Sequence, residues 1–154
     1  LLDYFKQKQI KDKTKFINLG GKILKDYSNI LINENLEKYN SLALSFKSDD
    51  SKYIIKGISG RNFYGQKISQ CYDDMKKIEK EIKAFIKKID RNYVPKKKLK
   101  NLPNGNSYVT KVGYFVEGGV IGIQCYDFSP KDFSEEDRLS ISIFSEEYNN
   151  WLLK

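Results

Sequence analysis

The stretch that decides the fold is KVGYFVEGGVIGIQCY, residues 111–126. Apolar residues alternate with other residues on both sides of Gly118-Gly119, and this pattern predicts a β-hairpin with a two-residue primed turn. Such a turn pairs Glu117 with Val120. It also places three cross-strand pairs on one apolar face: Val116 with Ile121, Tyr114 with Ile123, and Val112 with Cys125. We therefore expect the hairpin to bury this face within a sheet.

A long amphipathic helix is predicted over residues 69–89. Its apolar residues recur at steps of three and four, which is typical of a helix lying on a sheet. These residues are Ile68, Cys71, Met75, Ile78, Ile82, Phe85 and Ile89. Ser69 is the expected N-cap, and Lys83 suits the negative end of the helix dipole. We expect the apolar seam to pack on the buried face of the hairpin.

A second apolar stripe predicts an N-terminal helix over residues 14–31. Its members are Phe16, Leu19, Ile23, Leu24, Tyr27, Ile30 and Leu31. Gly20-Gly21 is unfavourable in a helix interior, so a break at this pair is the alternative. Residues 1–12 are expected to form a short, loosely docked helix.

The remaining segments complete the predicted fold. Residues 42–46 and 53–59 read as two strands joined by a turn, and residues 139–143 read as a last strand. Ser145 is placed to cap a terminal helix. The sequence therefore predicts a single α+β domain over residues 1–154. It has a sheet of about five strands, mainly antiparallel, with the helix 69–89 and the N-terminal helix packed on it.

Composition excludes several kinds of chemistry. The chain has 154 residues, a formal net charge of +8 and no histidine. Histidine-based triads, bases and metal ligands are therefore impossible, and two cysteines are too few for a four-cysteine zinc site. No apolar run approaches the ~18 residues of a membrane-spanning helix. We expect no catalytic residues, no metal and no cofactor, and we rank an enzyme lowest among the functions considered.

The two cysteines, Cys71 and Cys125, are candidates for a disulfide. Both lie on surfaces expected to face each other, one on the helix seam and one on the hairpin. Two buried free thiols are the alternative, and a reactive thiol at the start of the helix is a third. A disulfide would favour an oxidising compartment.

A basic segment is the candidate for anion or partner binding. Residues 91–106 carry five basic residues and no acidic ones: Arg91, Lys96, Lys97, Lys98 and Lys100. We predict a proline-containing loop over 90–106 that either is merely solvated or contacts an anionic partner. Nucleic acid is possible as that partner but not favoured, because no recognisable nucleic-acid-binding motif is present.

Two further patterns carry weaker hypotheses. The acidic residues near the C-terminus match no calcium loop and are interpreted as a surface loop. They are Asp127, Asp132, Glu135, Glu136 and Asp137. Gly57, Gly60 and Gly65 precede the long helix with Arg61, where the helix N-terminus could hold an anion.

These observations favour a small non-enzymatic exported domain, periplasmic or secreted, with a partner-binding or structural role and an unknown protein or anionic partner. The alternative is an intracellular nucleic-acid- or polyanion-binding protein, cytoplasmic, that uses the basic segment 91–100. Because the chain begins with Leu1, we expect it to be a processed or excised piece.

Overall fold

The computed structural model describes residues 15–17, 26–33, 36–86, 90–99, 102, 106–131 and 136–154. These ranges contain eight strands and two helices. In chain order they are β1 (Lys15–Ile17), β2 (Tyr27–Ile32), β3 (Ser41–Lys47), β4 (Ile55–Phe63), α1 (Ile68–Phe85), β5 (Asp90–Lys98), β6 (Tyr108–Val116), β7 (Gly119–Asp127), β8 (Arg138–Ser145) and α2 (Glu146–Leu152). No described helix is long and apolar enough to cross a membrane.

All eight strands belong to one antiparallel sheet. Its order is β1-β2-β3-β4-β8-β7-β6-β5, so two four-stranded meanders meet where β8 pairs with β4. The chain leaves β4 in the middle of the sheet, passes through α1, and enters β5 at the far edge. The prediction of about five strands is therefore wrong, although the α+β class and the antiparallel pairing are correct.

The core lies between α1 and the second meander. We call the sheet face under α1 the first face and the opposite one the second face. Cys71 and Met75 of α1 are buried against the first face, with Ile68, Ile78 and Ile82 partly buried beside them. The sheet contributes five buried residues: Val112, Tyr114, Ile123, Cys125 and Leu139. The predicted packing of the helix seam on the hairpin is present.

The hairpin has the predicted faces but a different register. Val116 pairs with Gly119, so the two-residue turn is Glu117-Gly118 and not Gly118-Gly119. Every pair is shifted by two residues, and Val112 opposes Ile123 where Cys125 was expected. A shift of two leaves each side chain on the same face, because side chains alternate with a period of two. Gly118 has a φ of +76°, a value that favours glycine in a turn.

Gly119 is required by packing and not by the turn. A Cβ atom at this position would clash with the carbonyl oxygen of Phe144 on the neighbouring strand. We expect Gly119→Ala to lower the free energy of unfolding by about 2–3 kcal/mol, measured by urea denaturation, because the obstructing atom is backbone and cannot turn aside.

The matched control is Gly113→Ala, one strand away. A Cβ atom there would have Asn92 O as its nearest neighbour, 4.0 Å away. We expect this variant to be neutral or slightly stabilised, since glycine weakens a strand interior. Equal stability of the two variants would contradict the close approach of β7 to β8.

The prediction of an N-terminal helix over 14–31 is wrong. Residues 15–17 and Tyr27–Ile32 are strands of the sheet, and residues 1–14 and 18–25 lie outside the described residues. Tyr27 and Ile30 are both buried, and they lie on opposite faces of β2. Burial on both faces of a strand produced the spacing of three residues that resembles a helix.

The long helix begins and ends differently from its prediction. It covers Ile68–Phe85, and Ile86 is already extended, with φ −114° and ψ 108°. Phe85 belongs to the predicted seam but is 88% exposed, so the seam leaves the sheet in the last turn. Residues 87–89 lie outside the described residues. Lys67 precedes the helix without a side-chain cap, and Ser69, the expected N-cap, lies inside the first turn.

The C-terminal helix α2 forms as predicted and covers part of the second face. The Ser145 hydroxyl accepts a hydrogen bond from the backbone N–H of Tyr148, 3.3 Å away. Tyr148 is buried and packs against Tyr27 of β2, with ring centroids 4.8 Å apart. Trp151 contacts the same Tyr27 ring at 4.7 Å. These contacts attach α2 to the first meander.

Candidate partner-binding edge strand

The basic segment predicted as a loop is the edge strand β5. It pairs with β6 from Asp90 to Lys98, with a bulge between Val94 and Lys97 that contains Pro95. Proline is tolerated at bulges and on edge strands, where a missing N–H breaks no ladder. Eight of the nine residues of β5 are exposed. Among the described residues no strand pairs with its outer edge.

Arg91 is held by α1 and is not free to bind a partner with its full charge. Its Nε and Nη2 atoms donate to the two carboxylate oxygens of Glu79, at 3.1 and 3.3 Å. The guanidinium also lies 5.2 Å from the ring centroid of Tyr93. The buried hydroxyl of Tyr114 donates to the same Glu79, at 3.0 Å. Burial, followed by contact with Glu79, raises the pKa of Tyr114.

Removing Glu79 is expected to loosen β5. We expect Glu79→Ala to lower the free energy of unfolding by about 1–3 kcal/mol, because the buried hydroxyl of Tyr114 loses its acceptor. Urea denaturation measures this loss. Glu81→Ala, at an exposed position of the same helix, is the control and should stay within about 0.5 kcal/mol of the parent. If both variants unfold together, Glu79 does not join α1 to β5.

Lys96 is also engaged within the chain. Its Nζ donates to Oδ2 of Asp127 at 2.6 Å and lies 4.5 Å from the ring centroid of Tyr108. The hydrogen bond to Asp127 is the largest cause of a raised pKa at Lys96. This side chain therefore stays protonated but is directed back over the first face of the sheet.

Lys97 and Lys98 are the cations of β5 that remain available. Both are exposed, and neither makes an ion pair within the ranges that the structure describes. Lys97 pairs with Val109 and Lys98 with Tyr108, so the two side chains project from opposite faces. Lys100 lies outside the described residues. Of the five predicted contact residues, two are thus bound internally and two are presented to solvent.

Cys71 and Cys125 are brought together in the core. Their sulfur atoms lie 2.04 Å apart, a disulfide distance, and their Cα atoms are 5.9 Å apart. Both residues have 0% exposure. Cys125 opposes Thr110 in the hairpin, one pair further from the turn than its predicted partner Val112. A reagent in solvent has no direct access to either sulfur in the folded chain.

The acidic residues near the C-terminus have separate structural contacts. Asp137 is buried, and its carboxylate accepts hydrogen bonds from the backbone N–H groups of Phe128, at 2.9 Å, and Ile68. Burial raises the pKa of Asp137, against the lowering effect of these two bonds. The carboxylate thus occupies the N-terminus of α1, where an external anion had been considered. Asp132 and Glu135 lie outside the described residues.

No group of three or more acidic or cysteine residues in the described ranges is placed to hold a metal ion. The edge position of β5 and the exposed ring of Tyr93 are the features of the candidate site that the sequence reasoning missed. The run Tyr93-Val94 was the available signal, since both residues favour strands. No family model, curated protein or solved structure was found to match the chain.

Proposed function

We propose that this chain is a non-enzymatic partner-binding domain of the periplasm or the extracellular space, with β5 as its contact surface. The observation that carries the proposal is the exposure of β5: eight of its nine residues are accessible at the end of the sheet. Exposed strand edges are templates for pairing with another chain. The remaining seven long strands and both helices serve to present this edge.

Charge and compartment support the same proposal. Lys97 and Lys98 project from β5, while the nearest acidic residues, Glu79 and Asp127, are neutralised by Arg91 and Lys96. The edge therefore suits an acidic partner. The cysteine pair at disulfide distance in the core suits an oxidising compartment, because such pairs are kept reduced in the cytosol.

The alternative partner, a nucleic acid, is less favoured by the contacts of these cations. A phosphate backbone is bound by several free lysines or arginines acting together. Two of the candidate cations, Arg91 and Lys96, already face carboxylates.

The test is a titration of the isotopically labelled chain, followed by backbone amide NMR. The probe is a ten-residue peptide in which Glu alternates with Thr, and a ten-nucleotide single-stranded DNA of equal charge is the comparison. We expect the peptide to shift the amide signals of residues 90–98, with an affinity that falls as salt is added. No shift in β5 with the peptide overturns the proposal, and a preference for the DNA establishes the nucleic-acid alternative.

A pair of variants with equal charge separates the edge from net charge. Lys97→Ala with Lys98→Ala removes two cations from β5, and we expect roughly tenfold weaker peptide binding. Lys38→Ala with Lys52→Ala removes two exposed cations beside the first meander. This control should bind as the parent does. Equal weakening by both pairs would mean that only the overall positive charge matters.

A further inference from the structure

We infer that β5 binds its partner by strand addition: an extended acidic segment of another protein pairs, backbone to backbone, with residues 90–94. This inference rests on the proposed function and specifies the kind of partner. It follows from three features of β5, namely its backbone geometry, its charge and the position of its bulge.

The backbone of β5 is ready to pair on its outer side. From Asp90 to Val94 the strand is in unbroken register with β6, so alternate N–H and C=O groups are directed away from the sheet. Within the described residues, β5 is the last strand on that side. An added strand would find these groups already positioned, which reduces the entropic cost of association.

The charge of β5 selects the occupant. Lysine and proline on an edge strand oppose pairing with a second copy, because like charges would then face each other. The same charges attract an acidic segment. Lys97 and Lys98 would lie beside the end of the added strand and could reach its carboxylates from both faces.

The bulge limits the length of the pairing. Pro95 has no N–H to donate, and the register with β6 shifts between Val94 and Lys97. Regular pairing therefore covers residues 90–94, while the cations beyond the bulge contribute side-chain contacts. Tyr93, 49% exposed on the first face, offers a ring to a neighbouring side chain of the added strand.

The test compares two peptides of identical charge. One is the Glu-Thr decapeptide, and the other carries N-methyl groups on its four central amides, which removes donors from both of its edges. We expect the methylated peptide to bind at least roughly tenfold more weakly, because the backbone hydrogen bonds are lost. We also expect the unmethylated peptide to slow hydrogen exchange at alternate amides of residues 90–94.

Each outcome separates the two proposals. Equal binding of the two peptides overturns strand addition but leaves a basic contact surface at β5. Binding of neither peptide overturns the proposed function itself. Slow exchange of the same amides without peptide, increasing with protein concentration, would identify a second copy as the occupant and would also overturn an acidic partner.

Discussion

Ile123→Asp is expected to abolish the folded state. Ile123 has 0% exposure and lies in the middle of β7, beneath α1 and among the core residues. A carboxylate at this position would be buried with no partner, and we expect a loss of more than about 5 kcal/mol. This loss is comparable with the whole stability of an ordinary domain, about 5–15 kcal/mol. Circular dichroism should show no cooperative thermal transition.

Ile143→Asp is the matched control for this experiment. Ile143 lies on the same first face in the adjacent strand β8, but it is 54% exposed. Its carboxylate would remain in water, so we expect a loss of about 1 kcal/mol or less and a preserved transition. Ile82→Asp, partly buried on α1, should fall between the two. A folded Ile123→Asp variant would contradict the packing of α1 on the hairpin.

Removing the cysteine pair is expected to have the second largest effect. A bond between Cys71 and Cys125 closes a loop with a sequence separation of 54 residues. Loss of this constraint corresponds to about 4 kcal/mol in the chain-entropy description. We expect the double variant Cys71→Ala, Cys125→Ala to unfold at a much lower urea concentration than the parent.

The state of the cysteines is measured independently by mass. Alkylation of the denatured chain without reductant should add no alkyl groups, and alkylation after reduction should add one to each cysteine. Two alkylated cysteines without reductant would rule out the bond. In that case the argument for an oxidising compartment would fail, and a cytoplasmic location would be favoured.

The sequence predicts the second half of the fold better than the first. Along the β6–β7 hairpin, one face is buried and the other is not, so the period of two is visible and the buried residues are identified correctly. The register was missed because two adjacent glycines offered two turns, and the close contact of Gly119 with Phe144 is a tertiary feature. No local pattern distinguishes these alternatives.

The first meander is harder to predict, since β2 buries Tyr27 and Ile30 on opposite faces. Such a strand has no polar side, and its spacing matches that of a helix. The sequence also missed β5 as a strand for the opposite reason. Exposed on both faces, it shows no apolar alternation, and Pro95 with three lysines is typical of a loop.

The candidate site was therefore found by charge and not by structure. The five cations were identified from composition, but their division into bound and available groups depends on partners distant in sequence. Glu79 is 12 residues from Arg91, and Asp127 is 31 residues from Lys96. Such pairings follow from the topology of the sheet, which the sequence did not predict in full.

Amide hydrogen exchange across residues 90–98 of the unliganded chain is the most direct test of β5 as a paired strand with an open outer edge. We predict an alternating pattern from Asp90 to Val94, with slow exchange at amides bonded to β6 and fast exchange at those facing outward. Uniformly fast exchange would show that the segment is a loop after all. Uniformly slow exchange in dilute solution would show that the outer edge is already covered, and either result would contradict a partner-binding edge.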